Sequence, residues 1–210
     1  MLTGPDFHEQ HTLDDGTVVT IRHIRPADAS ELRRGFDALS AASRHARFHG
    51  GSSTLSDEAL RYLTEVDGHD HVALVATTQP RSGEPEVGLG VARFVRSEDD
   101  PTVAEAAMTV LDAAQHKGLG RILGIALGRA AIERGIERLR GEVLGGNAPV
   151  RALLDEFGAE VRHAPDGNLE FEVTLVSRAK AAKLLGWLRL RHHSGEPPSP
   201  RAGRGGRRRR

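Results

Sequence analysis

The sequence predicts an α+β domain built on one mixed, mostly antiparallel sheet flanked by helices. Three observations lead there. Apolar, partly β-branched runs at about 71–78 and 86–95 flank Pro80-Arg81-Ser82-Gly83-Glu84-Pro85, whose composition is that of a hairpin turn. A single strand–helix–strand unit follows between about 102 and 144, and antiparallel strands ahead of one such unit indicate a mixed sheet. The 210 residues suffice for one domain with a real core, and no internal repeat divides them.

Each element has its own signal. A strand is expected at about 17–24. A helix then begins near Pro26, whose fixed φ suits a first turn, and Ala29, Leu32, Phe36 and Leu39 mark its buried face. A second helix is expected near 56–66. After the hairpin, Thr102-Val103-Ala104-Glu105-Ala106-Ala107-Met108-Thr109-Val110 reads as a strand over 102–111. In the helix from 118 to 134, Leu119, Ile122, Leu123, Ala126, Leu127 and Ala130 recur at i, i+3, i+4 and i+7, one apolar face. A strand at 138–144, a helix at 148–157 and closing strands near 159–163 and 168–176 complete the order.

The junction of strand and long helix carries the chemistry. Gln115-His116-Lys117-Gly118-Leu119-Gly120-Arg121 is a glycine loop opening a helix. The first amides of a helix lack internal partners and point outward at the positive end of the dipole. Glycine lets backbone approach a phosphate without a Cβ between them. The loop therefore reads as a seat for a phosphorylated ligand; the plainer reading is a turn that needs two glycines. A P-loop would require Lys and then Ser or Thr after its last glycine, where Arg121 and Ile122 stand. A dinucleotide fingerprint would require glycine at 123, where Leu123 stands.

Composition narrows the class. The chain has no cysteine, which excludes disulfides, thiolate metal sites and a cysteine nucleophile. His69-Asp70-His71 is the tightest histidine cluster, but without a third ligand it reads as a polar loop end, and no metal is expected. The first residues lack the pattern of a signal peptide, and no apolar run approaches the roughly 20 residues of a membrane span, so a cytoplasmic protein is expected. The zero net charge is a cancellation. Ser177–Arg210 holds eleven Lys/Arg against Glu196, a net +10 against −10 for the rest. Residues 177–193 read as a basic amphipathic helix and 194–210 as a disordered Arg/Gly/Pro-rich tail. Solubility, self-contact and binding of a foreign polyanion are equally open as the role of this end. Residues 1–16 are expected to be a disordered segment ahead of a domain over 17–176.

Gln115-x-x-Gly118-x-Gly120 resembles the Q-x-x-G-x-G loop of the GNAT superfamily of acyl-CoA-dependent N-acyltransferases. Asn147-Ala148-Pro149-Val150-Arg151-Ala152-Leu153-Leu154-Asp155-Glu156-Phe157-Gly158 is similar to that superfamily's second signature, an Asn, an amphipathic helix and a Gly. The likeness runs from about Thr17 to Val176, beginning with Val19-Thr20-Ile21-Arg22-His23-Ile24-Arg25-Pro26 as first strand and turn. Arg47-Phe48-His49 and Val72-Ala73-Leu74-Val75-Ala76 resemble the branch of bacterial Pat-type protein lysine acetyltransferases. The appended nucleotide-binding domain of regulated relatives has no counterpart in the roughly 16 residues before Thr17.

The resemblance implies a GNAT fold, acetyl-CoA as acyl donor, and direct transfer to a primary amine, a protein lysine ahead of a small amine; an acyl-CoA-sensing protein without turnover is the remaining alternative. It assigns the pyrophosphate to Gln115, His116, Lys117, Gly118, Leu119 and Gly120, with Arg121 adding charge. The pantetheine arm falls to the backbone of Met108, Thr109 and Val110, one of whose amides polarises the thioester, and Asn147 is a further cofactor contact. Asn147 is independently a natural N-cap with Pro149 just inside the helix. A lysine amine, with a pKa of roughly 10.4, arrives protonated and needs a base. Glu105 is the candidate: the one carboxylate in an apolar strand, where burial would raise its pKa, at the position of the Pat-type catalytic glutamate. One departure stands out. Many relatives carry a Tyr seven residues after the Asn as the acid for the leaving thiolate, and here that position is Leu154.

Overall fold

A computed structural model describes residues 3–41, 43, 54–78, 85–165 and 167–175. The Arg47-Phe48-His49 segment, the tip of the 80–85 turn, the basic helix at 177–193 and the tail at 194–210 lie outside the described residues.

Among the described residues eight strands form one sheet: β1 (His8–Thr12), β2 (Val18–His23), β3 (His71–Thr78), β4 (Gly88–Arg96), β5 (Val103–Val110), β6 (Arg138–Leu144), β7 (Glu160–His163) and β8 (Asn168–Thr174). Their spatial order is β1-β2-β3-β4-β5-β6-β8-β7. All pairings are antiparallel except β5 with β6. Among the described residues four helices flank the sheet: α1 (Ala29–Ala38), entered through a 3-10 turn at Pro26–Asp28, α2 (Asp57–Thr64), α3 (Leu119–Glu133) and α4 (Ala148–Glu156). The α+β mixed sheet expected from the sequence is therefore present.

Strand alternation divides the sheet into two faces. Val19 and Ile21 of β2, Val72, Leu74 and Ala76 of β3, Ala92 and Phe94 of β4 and Ala104 of β5 turn to α3, and all are buried. From α3 they meet Leu119, Leu123, Ala126, Leu127 and Ala130, the face its periodicity marked; Ile122 is only partly buried at its margin. Each of the large side chains contributes on the order of 1.5–3 kcal/mol by leaving water. The opposite face lies under α1 and α2, where Phe36, Leu55 and Leu60 form a smaller cluster. β3 is buried along nearly its whole length because both of its faces are covered.

The N-terminal expectation is corrected. His8–Thr12 is an ordered edge strand, in register with β2 from His8 opposite Arg22 to Thr12 opposite Val18. Glu9 anchors it by paired bonds from Arg129 of α3 at 2.9 and 2.5 Å. Among the described residues no helix is long and apolar enough to cross a membrane.

Candidate acyl-donor and amine site

β5 and β6 run side by side only briefly. They are in register from Val103 opposite Arg138 to Glu105 opposite Arg140, and then the parallel pairing ends. β6 continues along β8 to Leu144, and β5 continues along β4 to Val110. The strands splay into a wedge whose inner edges, Ala106–Val110 and Gly141–Leu144, do not pair with each other. Gly141 sits at the apex, where a Cβ would lie 2.7 Å from the Ala106 carbonyl oxygen. An extended arm fits such a wedge as an added strand.

The predicted phosphate loop lies beside the wedge. Gly118 precedes α3 with φ +83°, a left-handed conformation natural to glycine, and His116 takes φ +57°. No side chain caps α3, and its first internal bond is the Ile122 amide on the Gly118 carbonyl. The preceding amides thus have no partner inside the helix. Gly120 faces Met108 Sδ of β5 and Leu153 of α4, which places this first turn between β5 and α4.

The charges on the loop are already engaged. Lys117 Nζ is 2.9 Å from Asp15 in the β1–β2 turn and holds the Asp15 carboxyl down at about 2. Arg121 hydrogen-bonds Glu156 of α4. Gln115 turns inward: its Nε2 donates to the Val110 carbonyl at 3.0 Å. What the loop offers outward is backbone N–H rather than side-chain charge. Asn147 caps α4, its Oδ1 accepting the Val150 amide at 3.3 Å, with Pro149 in the first turn.

Glu105 differs from expectation. It is not buried; its side chain is 68 % exposed and pairs with Arg140 at 3.3 Å. The reason is register: Glu105 shares a face with Ala107 and Thr109, turned away from α3, and unlike them it lies outside the cavity beneath α1. Its position is nevertheless pointed, as the last β5 residue paired with β6 before the wedge opens. Leu154 is 6 % exposed, so the place of the usual Tyr is a core position. Tyr62 stands with its ring 5.0 Å from that of His71.

On the Glu105 face, a cavity of about 230 Å³ lies between α1 and the sheet. Leu32, Phe36 and Leu39 roof it, and Val91, Ala107 and Thr109 floor it. Arg22 sits at its β2 side, bonded by both terminal nitrogens to Asp28 at 2.8 and 2.9 Å and by one to Glu86 at 2.8 Å. At the other end Arg93 donates to His71 Nε2 at 3.2 Å, and burial and that cation push the His71 pKa down. Both histidines of the 69–71 cluster are thus occupied, His69 Nδ1 lying 2.8 Å from Asp70.

The structure unites Met108–Val110, the 115–121 loop and Asn147 around one wedge and sets Glu105 at its apex. The sequence reading missed Arg140, Asp112 and the cavity. Asp112 alone left a trace, as a turn residue heading the loop.

No family model matches the chain. It is 30% identical over 174 residues to an acetyltransferase Pat of Mycolicibacterium smegmatis, with 77% of this chain and 51% of that protein aligned. The chain thus spans about half the length of that relative. A Pseudomonas aeruginosa acetyltransferase is 29% identical over 163 residues, covering 78% of this chain and 86% of that one. Among solved structures, the GNAT domain of S. lividans PAT aligns with a TM-score of 0.72 at 27% identity, over 80% of this chain and 97% of that one. A Salmonella typhimurium acetyltransferase solved with acetyl-CoA aligns with a TM-score of 0.61 at 24% identity, over 77% and 96%, a likeness of fold.

Proposed function

The chain has the fold of the GNAT N-acetyltransferases and resembles their Pat type, and from that premise we propose that it moves an acetyl group from acetyl-CoA directly to a primary amine, foremost a protein lysine. The observation that carries the reading is the β5–β6 wedge with an uncapped helix N-terminus beside it. Bound acetyl-CoA supplies the activated acetyl thioester. Amides of the 115–121 loop hold its pyrophosphate by hydrogen bonds and dipole. The free edge over Met108–Val110 holds the pantetheine arm, and one amide there polarises the thioester carbonyl as charge develops on its oxygen. Asn147 borders the same seat from the start of α4.

Glu105 takes the ammonium proton, directly or through a water. Its exposure suits that task, since a solvent-facing carboxylate exchanges its proton with bulk water between turnovers. Arg140 orients it. The amine enters on the α1 face, where the cavity meets β5. With Leu154 in place of the Tyr, no side chain at that position protonates the leaving thiolate, and the amine's own proton or water serves.

Calorimetric titration with acetyl-CoA tests the donor seat, and saturation near one site per chain is expected. No heat at millimolar acetyl-CoA sinks the reading. Thiol release is then compared with lysine-containing protein and with polyamines. Turnover on polyamines alone replaces the lysine reading with the small-amine one, and binding without turnover on any amine leaves an acyl-CoA sensor.

A further inference from the structure

The Asp112 carboxylate, just ahead of the glycine loop, reaches back to residues just past the end of α1. It accepts the Ser40 amide at 2.9 Å, the Ser40 hydroxyl at 3.2 Å and the Ser43 hydroxyl at 2.6 Å. Those bonds hold its carboxyl below the usual carboxylate range, Ser43 most of all, so it is ionised at neutral pH. Gln115 Nε2 joins the same group: it donates to the Val110 carbonyl at 3.0 Å and lies 3.4 Å from both Asp112 Oδ1 and Ser43 Oγ. Ser40 follows Leu39, the buried C-cap of α1 that roofs the cavity. One set of hydrogen bonds therefore ties the end of the donor strand, the phosphate loop and the roof of the amine cavity.

We infer that Asp112 is a positioning residue that couples occupancy of the phosphate loop to the placement of the α1 roof over the amine cavity. The link is short and stiff. Asp112–Ala114 forms a 3-10 turn, and Ala114 is buried against the main core. A loop drawn onto phosphates cannot shift without carrying the Asp112 carboxylate, and Ser40 and Ser43 with it. Gln115, assigned by resemblance to the donor, serves here as the second tie. The inference rests on the donor seat proposed above.

Hydrogen exchange of the full chain, with and without saturating acetyl-CoA, tests it. In the unaltered protein, acetyl-CoA slows exchange over 115–121 and also over 36–41, the latter at least about fivefold, the lower end of ordinary coupling between sites. In Asp112→Ala the loop keeps its slowing and 36–41 lose theirs. Asp112→Asn, which retains one acceptor oxygen, keeps part of it. A merely structural Asp112 would give faster exchange at 36–41 in both states with the ligand-dependent slowing intact, and that result overturns the inference. Slowing confined to 115–121 in the unaltered protein also overturns it while leaving the donor seat standing. Slowing in neither segment removes the donor seat and the coupling together.

Discussion

Placing a methyl group at the apex of the wedge is the sharpest test of how the two central strands meet. Gly141→Ala would set a Cβ 2.7 Å from the Ala106 carbonyl oxygen and 2.8 Å from two ring carbons of Phe171. Ordinary contact begins near 3.4 Å. The ring, on neighbouring β8, has some freedom to turn, but the Ala106 oxygen belongs to β5 and moves only with its strand. Overpacking of this kind costs typically 1–3 kcal/mol, and with backbone as the obstacle we expect about 2–3 kcal/mol. For a domain of this size each kcal/mol lowers the melting temperature by roughly 2–4 °C, so a loss of about 5–10 °C is expected by calorimetry. The same displacement spreads β6 from β5, and acetyl-CoA binding weakens with it. Gly146→Ala is the control, because nothing lies within 4 Å of its Cβ position and its φ lies outside the left-handed range. A Gly141→Ala protein melting within about 2 °C of the parent would refute the strand geometry at the apex.

Glu105→Gln keeps the size of the side chain and removes the proposed base; thiol release is expected to fall by about 10²–10⁴-fold with acetyl-CoA binding intact by calorimetry. Equal loss of both would show that Glu105 serves the donor seat instead. Asn147→Ala removes the acceptor for the Val150 amide and should cost about 1 kcal/mol in denaturant unfolding; no change in midpoint would mean the cap bond carries no stability. Glu9 has a carboxyl pulled from 4.5 down to about 2, first by its hydrogen bond with His11 and then by Arg129 against the cost of burial. Because the folded value is the lower one, its contribution is complete above about pH 4.5 and disappears as pH falls toward 2. Half-exposed, the group is worth on the order of 1 kcal/mol, and Glu9→Gln should flatten the acid limb of stability between those values. An unchanged acid limb would count against the β1–α3 clamp.

Most of the chain announces its own structure. β3 occupies its expected span because its apolar run ends at turn residues, β6 because Leu139 and Val143 alternate with Arg138, Arg140 and Glu142 ahead of Gly145 and Gly146, and α3 buries the stripe its spacing predicts. β1 escaped because His8-Glu9-Gln10-His11-Thr12 has no apolar alternation; it is held by pairing to β2 and by Arg129, both remote in sequence. Glu105 was legible as a residue but not as an environment. An apolar strand implies burial, yet exposure depends on how far α1 and α2 extend across that face. The glycine loop and Asn147 carry local signatures, and each stands at a helix start as those signatures imply. The wedge could not be, since it is the early end of one pairing, and Asp112 gains its meaning only from Ser40 and Ser43, some seventy residues earlier.

The splay of β5 from β6 also bears on how long the protein lasts. Unsatisfied strand edges ordinarily occur at the rim of a sheet, where charge or a covering loop guards them against pairing with other chains. Here two such edges face each other in the middle of the sheet. A donor arm lying between them would supply the missing backbone partners and tie the two halves of the sheet together. A ligand that binds only the folded chain adds about 2.7 kcal/mol of stability at a hundredfold excess over its dissociation constant. With acetyl-CoA as that ligand, the fraction of the protein escaping aggregation and proteolysis would rise and fall with the acetyl-CoA supply, and its abundance would register metabolic state.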